Sequence, residues 1–258
     1  MTRLSGMLAI MLATAACAGF AQSAPKVKSR YLPRADRWLL AHAQRAIVVI
    51  TPGWDAPIGT LTRYSRQGKE WQPVGDPIDV VVGTAGLGWD PAIAKKRLKI
   101  FSGPIKHEGD KRAPAGVFAL THTFGYAPSL AGASNYIPLT PSVECVDDPA
   151  SRYYTRIVDR SKTKHVDWKS FEQMRRADDL YRWGVLVAYN TKKPVAGNGS
   201  CIFLHIWQGP DIGTVGCTAM APGNLKALVD WVSGPERAVL IQLPQQEYER
   251  VKQPWHLP

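Results

Sequence analysis

From Ala46 to Leu243 glycine and proline cut the chain into short apolar segments, and that punctuation limits it to a β-rich architecture. AIVVI (46–50), GTLTRYSR (59–66) and DVVVG (79–83) have the β-branched and alternating character of strands. Turn signals at Pro52-Gly53 and Gly68-Lys69 separate them. A further extended piece falls at 71–75, and the glycine-rich GTAGLGW (83–89) reads as a turn, because no helix follows to make it a dinucleotide loop. Residues 153–158, 183–189 and 238–243 add strand character. Only two segments read as helices: 167–179, with Asp167 as N-cap and Phe171 and Met174 on one face, and 223–232, with Pro222 at its first turn. The expectation is a mostly β fold with a few helices, a β-sandwich or partly closed barrel. No internal repeat or interdomain linker is visible.

Within that frame the most informative stretch is CIFLHIWQGPDIGTVGCTAM (201–220). Its strand places Phe203, His205 and Trp207 on one face and Leu204 and Ile206 on the other. A loop broken by Gly209, Pro210 and Gly213 then returns the chain to Thr214-Val215-Gly216-Cys217. A strand that doubles back this soon brings an imidazole within reach of a thiol, the requirement of a Cys/His nucleophile pair. A free thiol needs a neighbouring imidazole or positive dipole to ionise at neutral pH, and His205 is placed to supply one. The N–H groups around Gly216 can open toward the same space, as an oxyanion site requires. Such parts carry out acyl transfer through a thioester. Taken singly, an interior histidine or a small buried cysteine is an ordinary core residue.

The compartment is read from the N-terminus. Arg3, the apolar run 7–18 and small residues at Gly19, Ala21, Ser23 and Ala24 have the form of a secretory signal over 1–24. The run is short for a transmembrane helix, and no later segment is apolar enough to span a bilayer. Cys17 as a lipidation site is disfavoured by Thr14 three residues before it. The expected order is therefore signal 1–24, basic lead-in 25–45, catalytic domain 46–243 and tail 244–258, in a periplasmic or otherwise extracytoplasmic protein.

Export leaves Cys145, Cys201 and Cys217, an odd number in an oxidising compartment. Pairing Cys145 with Cys201 leaves Cys217 free, whereas any bridge at Cys217 removes it as a nucleophile; spacing does not choose between them. Lys+Arg number 32 against 21 Asp+Glu, a net charge of +11 that favours polyanions such as cell-wall polymers and anionic headgroups. The cations form no long run and no nucleic-acid motif accompanies them, so nucleic acid is not expected as a partner. Nothing in the sequence signals an oligomeric state.

A second stretch, KIFSGPIKHEGDKRAPAGVFAL (99–120), reads as two short strands at 99–102 and 117–121 around a polar loop. Glu108, Asp110, Pro114 and Gly116 on that loop are candidate substrate-binding positions. His107, Glu108 and Asp110 lack matching ligands at metal-site spacing elsewhere, so no metal is expected.

HIWQGPDIGTVGCTAM resembles the active-site motif of the YkuD-type L,D-transpeptidases, a His followed by Ser/Thr-x-Gly-Cys. KHEGDKRAPAGVF resembles that family's Gly/Asp loop and Pro-x-Gly-x-Phe strand. The resemblance implies a β-rich bacterial-envelope domain acting on peptidoglycan stem peptides without a cofactor. Cys217 would be the nucleophile, His205 the base, Thr214 the supporting hydroxyl and Gly216 part of the oxyanion site. The enzyme would cleave a donor tetrapeptide before its terminal D-Ala and pass the acyl group to an amine. The chain departs from the pattern in its shorter His–Cys interval, in Val215 where His or Ser is frequent, and in Thr218-Ala219 replacing a polar or basic pair. These departures leave open a hydrolytic relative (amidase or carboxypeptidase) and a non-catalytic wall-binding module. A sortase-like enzyme with Arg237 downstream fits the close His–Cys spacing less well.

Overall fold

A computed structural model describes residues 27–133 and 135–258. The expected signal and Cys17 lie outside the described residues. In chain order the elements are α1 (Arg34–His42), β1 (Arg45–Thr51), β2 (Ile58–Gln67), β3 (Glu70–Val81), β4 (Leu87–Trp89), α2 (Pro91–Ala94) and β5 (Ala113–Gly125). There follow β6 (Tyr136–Pro138), β7 (Val143–Val146), β8 (Ile157–Asp159), β9 (Phe171–Gln173), β10 (Trp183–Val187) and β11 (Phe203–Ile206). The last are β12 (Thr218–Met220), α3 (Pro222–Val232), β13 (Ala238–Pro244) and α4 (Gln245–Trp255).

The main sheet runs β10-β11-β12-β3-β2-β1-β13-β5, and β10 pairs with β5 to close it into a barrel, with β4 and β6 attached to β5. The mostly β, partly closed barrel expected from the strand punctuation is the observed architecture. Its interior is filled by the alternating apolar faces of the strands, among them Ile47, Val49, Leu204, Val239 and Ile241. Each such side chain, buried in full, contributes roughly 1.5–3 kcal/mol before entropy is subtracted. After β12 the chain turns into α3, which starts on Pro222 and buries Leu225, Leu228 and Val229 against the barrel before β13. A second sheet, β8-β7-β9, stands apart and pairs with no strand of the barrel among the described residues. Its central Glu144 is buried, its carboxylate accepting from Arg160 Nε at 2.7 Å and Trp168 Nε1 at 2.7 Å.

Several local expectations are overturned. Residues 167–179 form no helix. Asp167 accepts from Ser151 and Arg152 instead of capping, and 171–173 is strand β9, paired to β7. Phe171 is exposed while Met174 is fully buried, so the two do not share a packed face. Sheet pairing has outweighed a short 3.6-residue pattern. The expected strand at 99–102 is a set of turns, and 117–121 is the middle of the long β5. Of 153–158 only the end joins a strand, β8, because Thr155 takes a left-handed conformation (φ 68°) that breaks extension. GTAGLGW turns only at Gly83–Gly86, and Leu87–Trp89 then pairs parallel with β5 as a wholly buried strand.

The described part of the lead-in, 27–45, packs on the barrel. Leu32 and Leu40 are buried in the main core. The tail is ordered too: α4 buries Tyr248, Val251 and Trp255, the last packed edge-on to Trp89 with ring centroids 6.5 Å apart. Its isolated apolar residues are too sparse to read as a helix without the surface they cover.

Asp36 on α1 lies beside Asp90, which caps α2 by accepting from Ala92 N at 2.9 Å. Burial first, and then the Asp90 charge, push the Asp36 carboxyl up to about 7, with Lys192 opposing. A raised carboxyl destabilises as pH rises from its unfolded value through its folded one. At about 1.4 kcal/mol per pH unit, the ceiling for Asp36 is roughly 4 kcal/mol above pH 7. Asp36→Asn should therefore raise the thermal midpoint at pH 8 and leave it nearly unchanged at pH 4. Unfolding scans at the two pH values check it, and an equal shift at both would refute the assignment.

Candidate active site

β11 divides its side chains between two environments. Leu204 and Ile206 enter the barrel core, whereas Phe203 packs with Cys145, Cys201, Tyr181 and Cys217 in a second apolar cluster facing the small sheet. β12 runs parallel to β11 with Leu204 opposite Thr218 and His205 opposite Ala219. That register sets Cys217 beside Phe203, one alternation before His205. The tight return is held by Thr214, whose backbone N–H and C=O bridge to Val82 and Thr84 at 2.8 Å each. Its hydroxyl donates to the Cys217 carbonyl at 2.7 Å and accepts from the Gly216 N–H at 3.1 Å. Gly216 has φ 150°, and a Cβ there would stand 3.2 Å from the Arg112 carbonyl oxygen.

Cys145 and Cys201 form a disulfide, and Cys217 is a free, buried thiol. Its sulfur accepts from the Phe203 N–H at 3.3 Å, and its S–H donates to the Cys201 carbonyl at 3.5 Å. His205 Nδ1 lies 2.7 Å from the Ile206 carbonyl oxygen. A carbonyl only accepts, so Nδ1 carries the hydrogen and Nε2 keeps the lone pair. Burial draws the His205 pKa down to about 4; the bond to Ile206 opposes and the Arg176 charge reinforces. Burial pushes the Cys217 thiol well above the ordinary range, with Glu172 adding to it. The resting pair is therefore a neutral thiol and a neutral imidazole, not the ion pair that the sequence reading required of the imidazole. For His205 to act as a general base toward this thiol, the thiol hydrogen would have to be redirected from Cys201 to Nε2.

Two cavities meet at the sulfur. One, of about 220 Å³, is lined by Cys217, His205, Thr214, Tyr181, Arg176 and Trp207 among others. The other, of about 290 Å³, includes Cys217, Gly216, Ser200 and Glu108. Glu172, Val215 and Cys217 border both. Val215 is 76% exposed and Ile212 49%, so two apolar side chains stand at a rim that also carries Glu172, Arg176 and Gln208.

Of the loop positions picked out by sequence, Glu108 reaches the second cavity, its carboxylate held by Tyr154 at 2.7 Å and Ser200 at 2.9 Å. Asp110 instead knots its own loop, accepting from Lys106 Nζ, His107 N and Arg112 N. Pro114 and Gly116 sit in the wall of β5, where the Pro114 carbonyl accepts from Gln242. These three lie outside the linings of both cavities. The Gly216 N–H expected at an oxyanion site is already donated to Thr214. Sequence reasoning missed Glu172 and Arg176, which reach the site from the segment 167–179 read as helix, and Tyr181, which lies just after it. Tyr181 donates to Glu172 and sets its ring edge against His205 at 5.1 Å. Burial raises both the Tyr181 and Glu172 pKa values. No group of three or more potential metal ligands occurs among the described residues.

The sequence matches the L,D-transpeptidase catalytic domain (YkuD) over residues 80–241, more than half of the chain. The chain belongs to the YkuD family. The YkuD match spans β11, the Thr214–Cys217 return and the small sheet together. No curated protein matches the sequence. Among solved structures, Bd1075 of Bdellovibrio bacteriovorus is 12% identical with TM-score 0.38, covering 83% of this chain and 55% of that one. Pgp2 of Campylobacter jejuni, described as a helical cell shape determining protein, is 15% identical in its K307A form with TM-score 0.36, covering 83% and 57%. This chain thus spans little more than half the length of either. No described helix is long and apolar enough to cross a membrane.

Proposed function

We propose that this YkuD-family protein is an extracytoplasmic L,D-transpeptidase in which Cys217 forms a thioester with a peptidoglycan stem tetrapeptide and passes it to an amine. The observation that carries the reading is the free thiol and the neutral imidazole of His205 lining one cavity. The sulfur attacks the carbonyl carbon before the terminal D-Ala, and His205 Nε2 takes the thiol proton. Collapse breaks the C–N bond, the same proton leaves on the amine of D-Ala, and the acyl group remains on sulfur. An acceptor amine then attacks the thioester, gives its proton to Nε2, and the thiolate leaving group recovers it. Thr214 supports the turn that presents the sulfur, and Glu108 borders the side from which a second substrate can approach. No step draws on a metal or cofactor.

Water in place of the amine would give a hydrolase from the same intermediate. The test is to incubate the protein with a disaccharide-tetrapeptide and follow the products by mass. Cross-linked dimers support the transpeptidase, trimmed monomers the hydrolase, and binding without conversion a wall-binding module.

A further inference from the structure

The small sheet supplies Glu172, and the segment after it Arg176 and Tyr181, to the cavity at the thiol, yet no strand pairing ties the sheet to the barrel among the described residues. Beside side-chain hydrogen bonds such as Tyr154 to Glu108 and Thr155 to the Asn190 carbonyl, a covalent path joins the two. Cys145 on β7 lies directly opposite Glu172 on β9, the residue that borders both cavities. The Cys145 sulfur is bridged to Cys201, 56 residues on and two positions before β11. Cys201 is held in a left-handed conformation (φ 52°), which a non-glycine residue keeps only where its surroundings fix it. In that conformation its carbonyl receives the Cys217 S–H, and Phe203, two residues further, gives its N–H to the same sulfur. The bridge thus ends on the residue that holds the thiol's hydrogen and begins beside the residue that walls it.

We propose that the Cys145–Cys201 disulfide is the positioning device of this site: it staples the small sheet over Cys217, and the pocket is assembled only in the oxidised chain. The part that concerns turnover rests on the proposed function; the part that concerns access to the thiol does not. With the bridge intact Cys217 is 5% exposed and walled by Glu172 and Tyr181. With it open, Cys201 is free to leave its left-handed conformation, the S–H loses its acceptor, and the sheet is held by apolar contact and by a few side-chain hydrogen bonds such as Tyr154 to Glu108 and Tyr126 to the Arg176 carbonyl. The barrel has its own core and does not depend on the bridge.

The full chain is compared with its Cys145→Ser/Cys201→Ser variant in three measurements. Alkylation of Cys217 by iodoacetamide, mapped by peptide mass, should be at least tenfold faster in the variant. Hydrogen exchange should accelerate over 143–146 and 171–182 and stay unchanged in β1 and β13. Turnover of the tetrapeptide donor should fall at least tenfold in kcat. Reducing the wild type with dithiothreitol, which gives one hydrogen to each sulfur and becomes its own cyclic disulfide, should reproduce the exchange pattern without any substitution. Alkylation within twofold of wild type overturns the proposal. So does exchange that rises equally in β1 and β13, or a variant that does not fold, because the bridge would then hold the whole domain and not the pocket. Labelling and exchange need no substrate, so a wild type inert toward peptide defeats the proposed function and still decides this one.

Discussion

Cys217→Ala is expected to abolish transfer from a tetrapeptide donor, by about four orders of magnitude or more, while the barrel stays folded. Removing the atom that forms the covalent intermediate eliminates the route, and what remains is binding and orientation alone. That loss corresponds to more than about 5 kcal/mol of transition-state stabilisation. The structural cost is far smaller. The sulfur makes two long hydrogen bonds, at 3.3 and 3.5 Å, and sits at the edge of an apolar cluster. Its removal should cost about 1 kcal/mol, a few degrees in the thermal midpoint. Product mass spectra and a thermal scan on the same preparation separate the effects. Activity comparable to wild type in the alanine variant would remove Cys217 as the nucleophile, whatever the fold does.

How legible this was in the sequence depends on what fixes each part. The barrel strands read correctly where both determinants are local: β-branched runs such as 46–50 and turn residues such as Gly68. The His205 to Cys217 return was legible for the same reason, since a strand, a glycine loop and a parallel partner all lie within twenty residues. The segment 167–182 was not. Its three-residue strand exists because β7 offers a partner, and its Tyr181 meets His205 only after the chain has folded back over the barrel. No spacing in the sequence links Glu172 to Cys217; the Cys145 and Cys201 pair was the one covalent hint, and it left the pairing open. Ionisation was equally hidden. A thiol next to an imidazole suggests an ion pair by chemistry, but burial sets both groups neutral, and burial is a property of the assembled cluster.

That neutrality makes the pH response of His205 the sharper test of mechanism. If the imidazole is the base and titrates at about 4 in the folded protein, kcat/KM should stay flat from neutrality down to about pH 5 and then fall tenfold per unit below 4. An acid limb near 6 to 7 would mean that burial does not control the ring and that a thiolate–imidazolium pair operates instead. His205→Gln preserves a donor for the Ile206 carbonyl but has no basic nitrogen to take the thiol proton. Its turnover should fall roughly 10²- to 10⁴-fold, and the acid limb should disappear. Stability supplies an independent reading with its own sign. A histidine whose folded pKa lies below its unfolded value contributes fully above about 6.5 and loses that contribution as pH drops toward 4. The difference is roughly 3 kcal/mol, which the glutamine variant should not show. A variant that loses activity yet keeps the wild-type slope of stability between pH 6.5 and 4 would separate the ring's catalytic part from its burial and place the titration on another group; Glu172 is not that group, because its raised carboxyl gives the opposite slope.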